Sequence, residues 1–396
     1  MEQFDLIVVG GGISGMSLAH YSAKAGLRTL VIEKAERTGG TLCSPKLASE
    51  FWVEMGAHTC YNSYGNLIGI IEDCGIKDMM VPREKVGFKM LVDNRIKPIP
   101  SQLNFIELFF SGPRLFFLKK SGESLRSYYG RITGKGNYDK VFGPAFNAVL
   151  SQKADDFPAD MLFNKRPRRK DIMKSFTLRE GLQSLPEAVA AQKGMTVLTG
   201  KAVSSISSGG DSFTVTTTDG GEYASRFLGL ATPPNSSAHL TQKAFPELSR
   251  LLFQIRMETV DTVGVAVRKE ATTLPLLAGI IPTANSFYSA VSRDTVKDRA
   301  YRGFSFHFTK GLDEENRIRK ITAVLGVRKE QIEGMMTKEN LVPSLKVGHE
   351  RLTADMDRLI SGTRLLLVGN YFKGLALEDC VCRSLSEASR LKALAS

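Results

Sequence analysis

Three glycines near the start of the chain, Gly10, Gly12 and Gly15, stand at the spacing G-x-G-x-x-G, with Ile13 and Ser14 inside it. An acidic residue, Glu33, follows 18 residues after the third glycine. This combination is chemistry for a dinucleotide. The first glycine permits a tight turn, the second lets a pyrophosphate approach the backbone, and the third lets helix and strand pack closely. A carboxylate at Glu33 can accept hydrogen bonds from both ribose hydroxyls of an adenosine and would repel a 2′-phosphate, which disfavours NADP. The elements that must position these residues are legible around them. Phe4 to Val9 (FDLIVV) reads as a short, nearly continuous apolar strand of a parallel sheet. Met16 to Ala25 has helical character with Gly26 as its stop, and Arg28 to Ile32 (RTLVI) reads as the next strand. The helix start would offer free N–H groups and a positive dipole end to phosphates. Glycines alone are a weak signal; strand, glycines, helix, strand and acid in register are a strong one.

The rest of the composition narrows the class. With 396 residues, 42% hydrophobic and 24% charged, the chain can build two domains around separate cores. Five cysteines, Cys43, Cys60, Cys74, Cys380 and Cys382, are an odd number with no charged-then-apolar leader before them, which points to a reducing cytoplasm and not to a disulfide framework. Cys380 and Cys382 form only C-x-C, and His20, His58, His239, His307 and His349 share no spacing that converges on a metal, so no metal site is expected. No apolar run reaches the roughly 20 residues of a spanning helix. Leu103 to Leu118 (LNFIELFFSGPRLFFL) comes nearest, broken by Glu107, Gly112, Pro113 and Arg114 and followed by Lys119 and Lys120. It suits either a peripheral membrane contact or two helices packed over a hydrophobic cavity. The net charge of +12, with a local cluster at Lys165, Arg166, Arg168, Arg169 and Lys170, does not by itself name a partner. No aromatic-interleaved basic motif or zinc module accompanies it, so nucleic-acid binding is not expected.

FAD and NAD share the N-terminal fingerprint, and the following residues separate them. After Glu33 come Lys34-Ala35-Glu36-Arg37-Thr38-Gly39-Gly40-Thr41, and then Glu54-Met55-Gly56-Ala57-His58. This pattern resembles the flavin-containing amine oxidase and protoporphyrinogen oxidase superfamily, which follows the ribose acid with a basic residue and a Gly-Gly pair. The resemblance implies non-covalent FAD, with backbone amides at Gly39, Gly40 and Thr41 reaching the pyrophosphate and ribityl chain. It also implies that the Gly56-Ala57-His58 element passes beside the flavin ring. Thr41 stands where many amine oxidases carry Arg, which leans away from the amine oxidases proper. The resemblance recurs downstream. Phe176 to Val189 is similar to the family's glycine-containing lead into a helix. Met195 to Ile206, Phe213 to Thr217 and Phe227 to Pro234 read as three strands, with Val203 matched to a backbone contact on the adenine and Ala231-Thr232-Pro233 to the return into the FAD domain. At the C-terminus, Val342-Pro343-Ser344-Leu345, Gly348-His349, Leu365 to Tyr371, Gly374, Leu377 and Asp379-Cys380-Val381 closely resemble the closing signature of protoporphyrinogen oxidases. That places Gly369-Asn370 beside the flavin phosphates, the backbone of Leu377 near the pyrimidine end of the ring, and a helix N-terminus near Glu378 aimed at it. The positive end would raise the flavin's electron affinity. The family's usual Ser-Gly inside this last helix is replaced by Ser384-Leu385.

The expected fold is α/β: a Rossmann-like FAD-binding domain, returned to three times, with a discontinuous α+β substrate-binding domain and a helical part. The FAD domain takes residues 1–90, 180–240 and 350–396, and the substrate domain 91–179 and 241–349. Glu123 to Asp160 should be helical, and Leu251 to Arg268, Phe287 to Ser292 and Arg302 to Phe308 should be substrate-domain strands. The chemistry would centre on the flavin, so no side chain is assigned as acid or base; His58 and Lys373 are the candidates. The resemblance implies an FAD-dependent oxidoreductase removing hydrogens from a small, largely hydrophobic cyclic substrate such as a tetrapyrrole. An amine oxidase, a polyene desaturase, a non-redox flavoenzyme similar to UDP-galactopyranose mutase and an FAD-binding protein without catalysis stay open. So does the oligomeric state.

Overall fold

The computed structural model describes residues 2–283 and 287–395. Two seven-stranded sheets organise it. The first begins with the buried strand Glu2–Val9, flanked in parallel by Thr29–Ile32 on one side and Glu222–Leu230 on the other. Leu6, Ile7 and Val8 are fully buried, as expected for a strand covered on both faces. Met195–Leu198 pairs in parallel outside Thr29–Ile32. The far edge of Glu222–Leu230 is divided. Its first half takes the antiparallel strand Ser212–Thr217, and its second half takes the short parallel strand Leu365–Leu367. Val203–Gly209 closes that side in an antiparallel hairpin with Ser212–Thr217.

The helix Ile13–Lys24 packs beside the last helix, Leu377–Ala395. Their closest stitch is Ser384, whose Oγ donates to the carbonyls of Ser14 (2.7 Å) and Cys380 (3.0 Å). The Ser384-Leu385 pair therefore still ties the C-terminal helix to the N-terminal one.

The second sheet runs Ile332–Pro343, Met257–Arg268, Tyr301–Thr309, Phe287–Ser292, Gly279–Pro282, Phe88–Val92, Arg95–Pro98, all antiparallel except the pair Gly279–Pro282 with Phe88–Val92. Three phenylalanines on Tyr301–Thr309, Phe304, Phe306 and Phe308, point into its core. Helical segments from Leu125 to Leu150 lie against this sheet and beneath the first. No described helix is long and apolar enough to cross a membrane.

Three expectations are corrected. The chain from Leu251 does not enter a strand at once: Pro246–Phe253 is a helix, opened by Pro246 and burying Leu248 and Leu252 at i,i+4, and the strand starts at Met257. Met195 to Ile206 is not one strand but two on opposite edges of the sheet, separated by a turn in which Gly200 has φ +67°. The chain is already in the second sheet by Phe88, before residue 91, because Phe88–Val92 pairs with Gly279–Pro282.

Candidate functional site

Where the two sheets meet, a cavity of about 800 Å³ runs from the glycine turn to the wall of the second sheet. Its phosphate-like end is built from two glycine loops pressed together. Gly10 has φ +105°, and a Cβ there would lie 2.8 Å from the Ala231 carbonyl oxygen. At Gly15 a Cβ would sit 1.9 Å from the Gly10 oxygen, so only glycine lets the helix pack this near the strand end. Gly12 is different: a Cβ there meets no protein atom within 4 Å, and the residue faces the cavity. The second loop, Gly39-Gly40, is bridged to the first by the Gly39 N–H donating to the Gly11 carbonyl (2.7 Å). Arg37 holds this turn shut by donating to the carbonyls of Thr38, Gly40 and Leu42. Glu33 accepts from the N–H of Gly11 (2.6 Å) and of Ala35 (2.9 Å), so one carboxylate braces both the glycine loop and its own turn.

Of the residues singled out in the sequence, Gly10, Gly12, Ile13, Ser14, Glu33, Lys34, Gly40, Thr41, Gly56, Ala57, His58, Val203, Ala231, Thr232, Gly369, Asn370 and Leu377 all line this one cavity. Gly15 and Gly39 stand one layer behind. Lys373 does not reach it: Tyr371 and Phe372 turn inward and are buried, which leaves the Lys373 side chain in solvent. A register shift between Val203 and Ser205 breaks the hairpin ladder beside the cavity.

At the other end, Gly56 is clamped between His58 and the Thr41 carbonyl, since a Cβ there would fall 2.3 Å from His58 Nε2. Burial holds the His58 imidazole down at about 4, and its Nε2 has no hydrogen-bond partner. Burial likewise lowers His307 to about 3, helped by His58 nearby, and its Nε2 is also unpartnered. Both rings are neutral at pH 7. His307 Nδ1 lies 3.0 Å from Thr262 Oγ1, which in turn accepts from Asn340 Nδ2 (2.9 Å); the same amide donates to the Met55 carbonyl. Lys338 donates to Asn340 Oδ1, and burial lowers its ammonium to about 8. Beneath Gly56, Glu54 accepts from Leu182 N–H (2.7 Å) and Ser44 Oγ (3.0 Å), while burial pushes its carboxyl up to about 7.

Lys338, Asn340 and His307 were not anticipated. They sit on Ile332–Pro343 and Tyr301–Thr309, paired to the two edges of the strand Met257–Arg268, and alternation would place Lys338 and Asn340 on one face. The apolar part of the wall includes Leu240, Met257, Val260, Val342 and Leu375, and Lys201, Ser236, His239 and Glu339 also border the cavity. The Cys380 thiol also lines the cavity, but burial pushes it up to about 12 and keeps it protonated and unreactive.

The open Gly12 backbone, the helix start at Ile13 and the bracing acid fit the two phosphates and ribose of a dinucleotide, and the cavity continues far enough to take a second ring system. Comparison with known proteins agrees. A sequence model described as flavin containing amine oxidoreductase matches residues 13–325. Pseudooxynicotine dehydrogenase of Pseudomonas sp is 28% identical over 196 residues, 47% of this chain and 35% of that enzyme. The chloroplastic/chromoplastic 15-cis-phytoene desaturase of Narcissus pseudonarcissus is 31% identical over 80 residues, 20% of this chain and 14% of that one. The matched segments thus span well under two thirds of these relatives. In three dimensions, a provisionally named protoporphyrinogen oxidase from Exiguobacterium sp. 255-15 superposes with a TM-score of 0.80 at 16% identity, covering 99% of both chains, which establishes a shared fold. With the family pattern running through most of its length, the chain belongs to the flavin-containing amine oxidoreductases.

Proposed function

We propose that this enzyme removes hydrogens from a small, largely hydrophobic, conjugable ring substrate bound against the second sheet. The observation that carries the reading is Lys338, a half-buried cation in a cavity whose apolar members include Leu240, Met257, Val260, Val342 and Leu375, while its neighbour Glu339, which also borders the cavity, is exposed. Its ammonium is mostly charged at pH 7, so it opposes a protonated amine and favours a neutral ring or one bearing carboxylates. When bound, FAD supplies the two-electron acceptor. The chain supplies the rest. Gly10, Gly12, Ile13 and Ser14 would hold the pyrophosphate at the helix start, with Gly39, Gly40 and Thr41 closing over it. Glu33 would hold the ribose, Lys34 and Val203 the adenosine end, and Ala231, Thr232, Gly369 and Asn370 the path towards the ring. Gly56, Ala57 and Leu377 would border the ring itself. Neutral His58 and His307 both border the cavity and are the side chains placed to exchange a proton with the substrate as it is oxidised. The FAD-binding part would comprise residues up to the turn before Phe88, 180–240 and 350–396, and the remainder would hold the substrate. The free cysteines suit a reducing compartment.

The test is anaerobic addition of protoporphyrinogen, of a primary amine and of a polyene to the purified holoprotein, following the flavin absorbance. Bleaching by the tetrapyrrole supports the reading. Bleaching by the amine or the polyene alone overturns it, and isomerase activity appearing only in the reduced protein would replace oxidation altogether.

A further inference from the structure

A second apolar surface lies away from the cavity. Phe105, Ile106, Phe109 and Phe110 on the helix Phe105–Ser111, and Phe116 and Phe117 just beyond it, are each between 61% and 85% exposed. A soluble face does not need six such side chains in one short stretch, and a patch of this kind marks an interaction surface.

The segment is held in this attitude by its own hydrogen bonds. Asn104 caps the helix by accepting from Ile106 and Glu107 N–H, and its backbone is clamped by the Asn137 amide, which accepts from Asn104 N–H (2.7 Å) and donates to Asn104 O (2.8 Å). Arg114 reaches across to the Arg131 carbonyl at 3.2 Å. The aromatic face is thus presented outward by a fixed scaffold.

Charge identifies what it meets. From Leu108 to Gly122 the chain has no acidic residue, while Arg114, Lys119 and Lys120 are all cationic. Of the two flanking acids, Glu107 is turned inward, where its carboxylate accepts from Gly136 N–H (2.8 Å) and Asn137 N–H (2.9 Å), and Glu123 is paired with Arg131 (2.5 Å). Among the described residues none of the three cations forms an ion pair; Lys120 donates to the Leu162 carbonyl (3.3 Å) and lies over the Tyr129 ring, while Arg114 and Lys119 are exposed, and the whole chain carries +12. Aromatic side chains beside unneutralised lysine and arginine are the arrangement that suits a bilayer interface, rings in the acyl boundary and cations among anionic headgroups.

We propose that residues 105–120 form a docking face for an anionic lipid bilayer. The enzyme is peripheral, held by shallow insertion of the phenylalanines and by attraction of Arg114 and Lys119 to acidic lipid.

Flotation of the FAD-loaded chain with vesicles tests this. Wild type should float with mixed phosphatidylglycerol–phosphatidylcholine vesicles, float less with phosphatidylcholine alone, and be released from the former by salt at about 1 M, where screening acts within about 3 Å. The triple variant F109S/F116S/F117S should bind at least tenfold more weakly. It should keep the wild-type melting temperature and flavin absorbance, because these rings are in solvent. Charge reversal in R114E/K119E should reduce binding to the anionic vesicles selectively. Wild type remaining in the lipid-free fraction, or the triple variant floating as well as wild type, would overturn the proposal. So would a wild-type dimer that the triple variant converts to monomer with no vesicle binding, which would give the face to a second copy of the chain.

Discussion

Gly12→Ala and Gly15→Ala, the same change three residues apart, should fail in opposite ways. At Gly15 the new Cβ falls 1.9 Å from the Gly10 carbonyl oxygen and 3.0 Å from Ala231 Cβ, and the first contact is backbone that cannot swing aside. The helix must move off the strand, at a cost of about 3 kcal/mol or more for overpacking, before any cofactor is considered. At Gly12 the backbone has φ −70° and ψ 175°, open to alanine, and the Cβ meets nothing in the protein. The small gain from restricting the unfolded chain and the small loss of a preferred N-cap residue nearly cancel, so the apoprotein should keep its stability within about 1 kcal/mol. The methyl group instead occupies the path of the phosphates. Losing one charge-assisted hydrogen bond is worth about 1.5–3 kcal/mol, or roughly a 10- to 100-fold weaker Kd for FAD. Both effects are read by urea denaturation of apoprotein with and without FAD. At FAD about 1,000-fold above the wild-type Kd, wild type gains about 4 kcal/mol, and the Gly12 variant only about 1.4–2.7 kcal/mol. Full stabilisation of the Gly12 variant by FAD would show that no phosphate lies there, and a Gly15 variant as stable as wild type would refute the packing argument.

Three further changes probe the charged groups. Glu33→Ala removes the acceptor for the Gly11 and Ala35 N–H groups, so apoprotein stability should fall by about 1–3 kcal/mol and FAD should bind at least tenfold more weakly, both measured in the same titration. The Glu54 carboxyl, raised by burial from 4.5 to about 7, keeps its proton in the folded chain after the unfolded chain has lost it. Stability therefore falls as pH rises between these values, by up to about 3 kcal/mol. Glu54→Gln should match wild type within about 1 kcal/mol at pH 5 and exceed it at pH 8, and equal stability at pH 8 would count against a carboxyl whose proton is held by burial. Lys338, lowered by burial from 10.5 to about 8, sheds its proton early in the folded chain, so its contribution to stability should rise from about pH 8 to pH 10. Lys338→Met should lack that rise and should also lack any inflection near pH 8 in the rate of anaerobic flavin bleaching, both seen by difference from wild type.

How much of this was readable in advance follows from which forces are local. Gly10 and Gly15 are dictated by a positive φ and by a backbone contact, constraints that act within a few residues and therefore write themselves into the sequence as a fixed spacing. Glu33 was legible for the same reason, because one turn of helix-and-strand geometry sets where the second strand ends. The readings that failed lacked such a constraint. The apolar residues of Leu251 to Gln254 suit strand or helix equally, and only Pro246 and the i,i+4 burial of Leu248 and Leu252 decide it. Lys338 and Asn340 lie in a strand, IEGMMTKENLVP, whose outer residues are too polar and too exposed to alternate cleanly. Their place in the cavity depends on register with Met257–Arg268, some 80 residues away, and no short-range pattern encodes that pairing.

The C-terminal helix shows how a local pattern can also carry an apparent contradiction. A positive helix end aimed into the cavity was expected near Glu378, yet the first turn holds two acids, Glu378 and Asp379, which would cancel it if they faced the same way. Helical spacing keeps them apart from it. Leu377 and Cys380, at i and i+3, line the cavity, while the two carboxylates between them project away. Glu378 accepts from the N–H of Asn66 (2.9 Å) and Leu67 (3.0 Å), closing the start of the helix Gly65–Asp73. Asp379 is matched by Arg166, so one member of the basic cluster serves the fold, as does Arg169 through its paired bonds to Glu72. Glu378 is spent on a neighbouring helix and Asp379 on Arg166 and on the Ala376 N–H at its own helix start (3.2 Å), so Leu377 and Cys380 reach the cavity and neither carboxylate does.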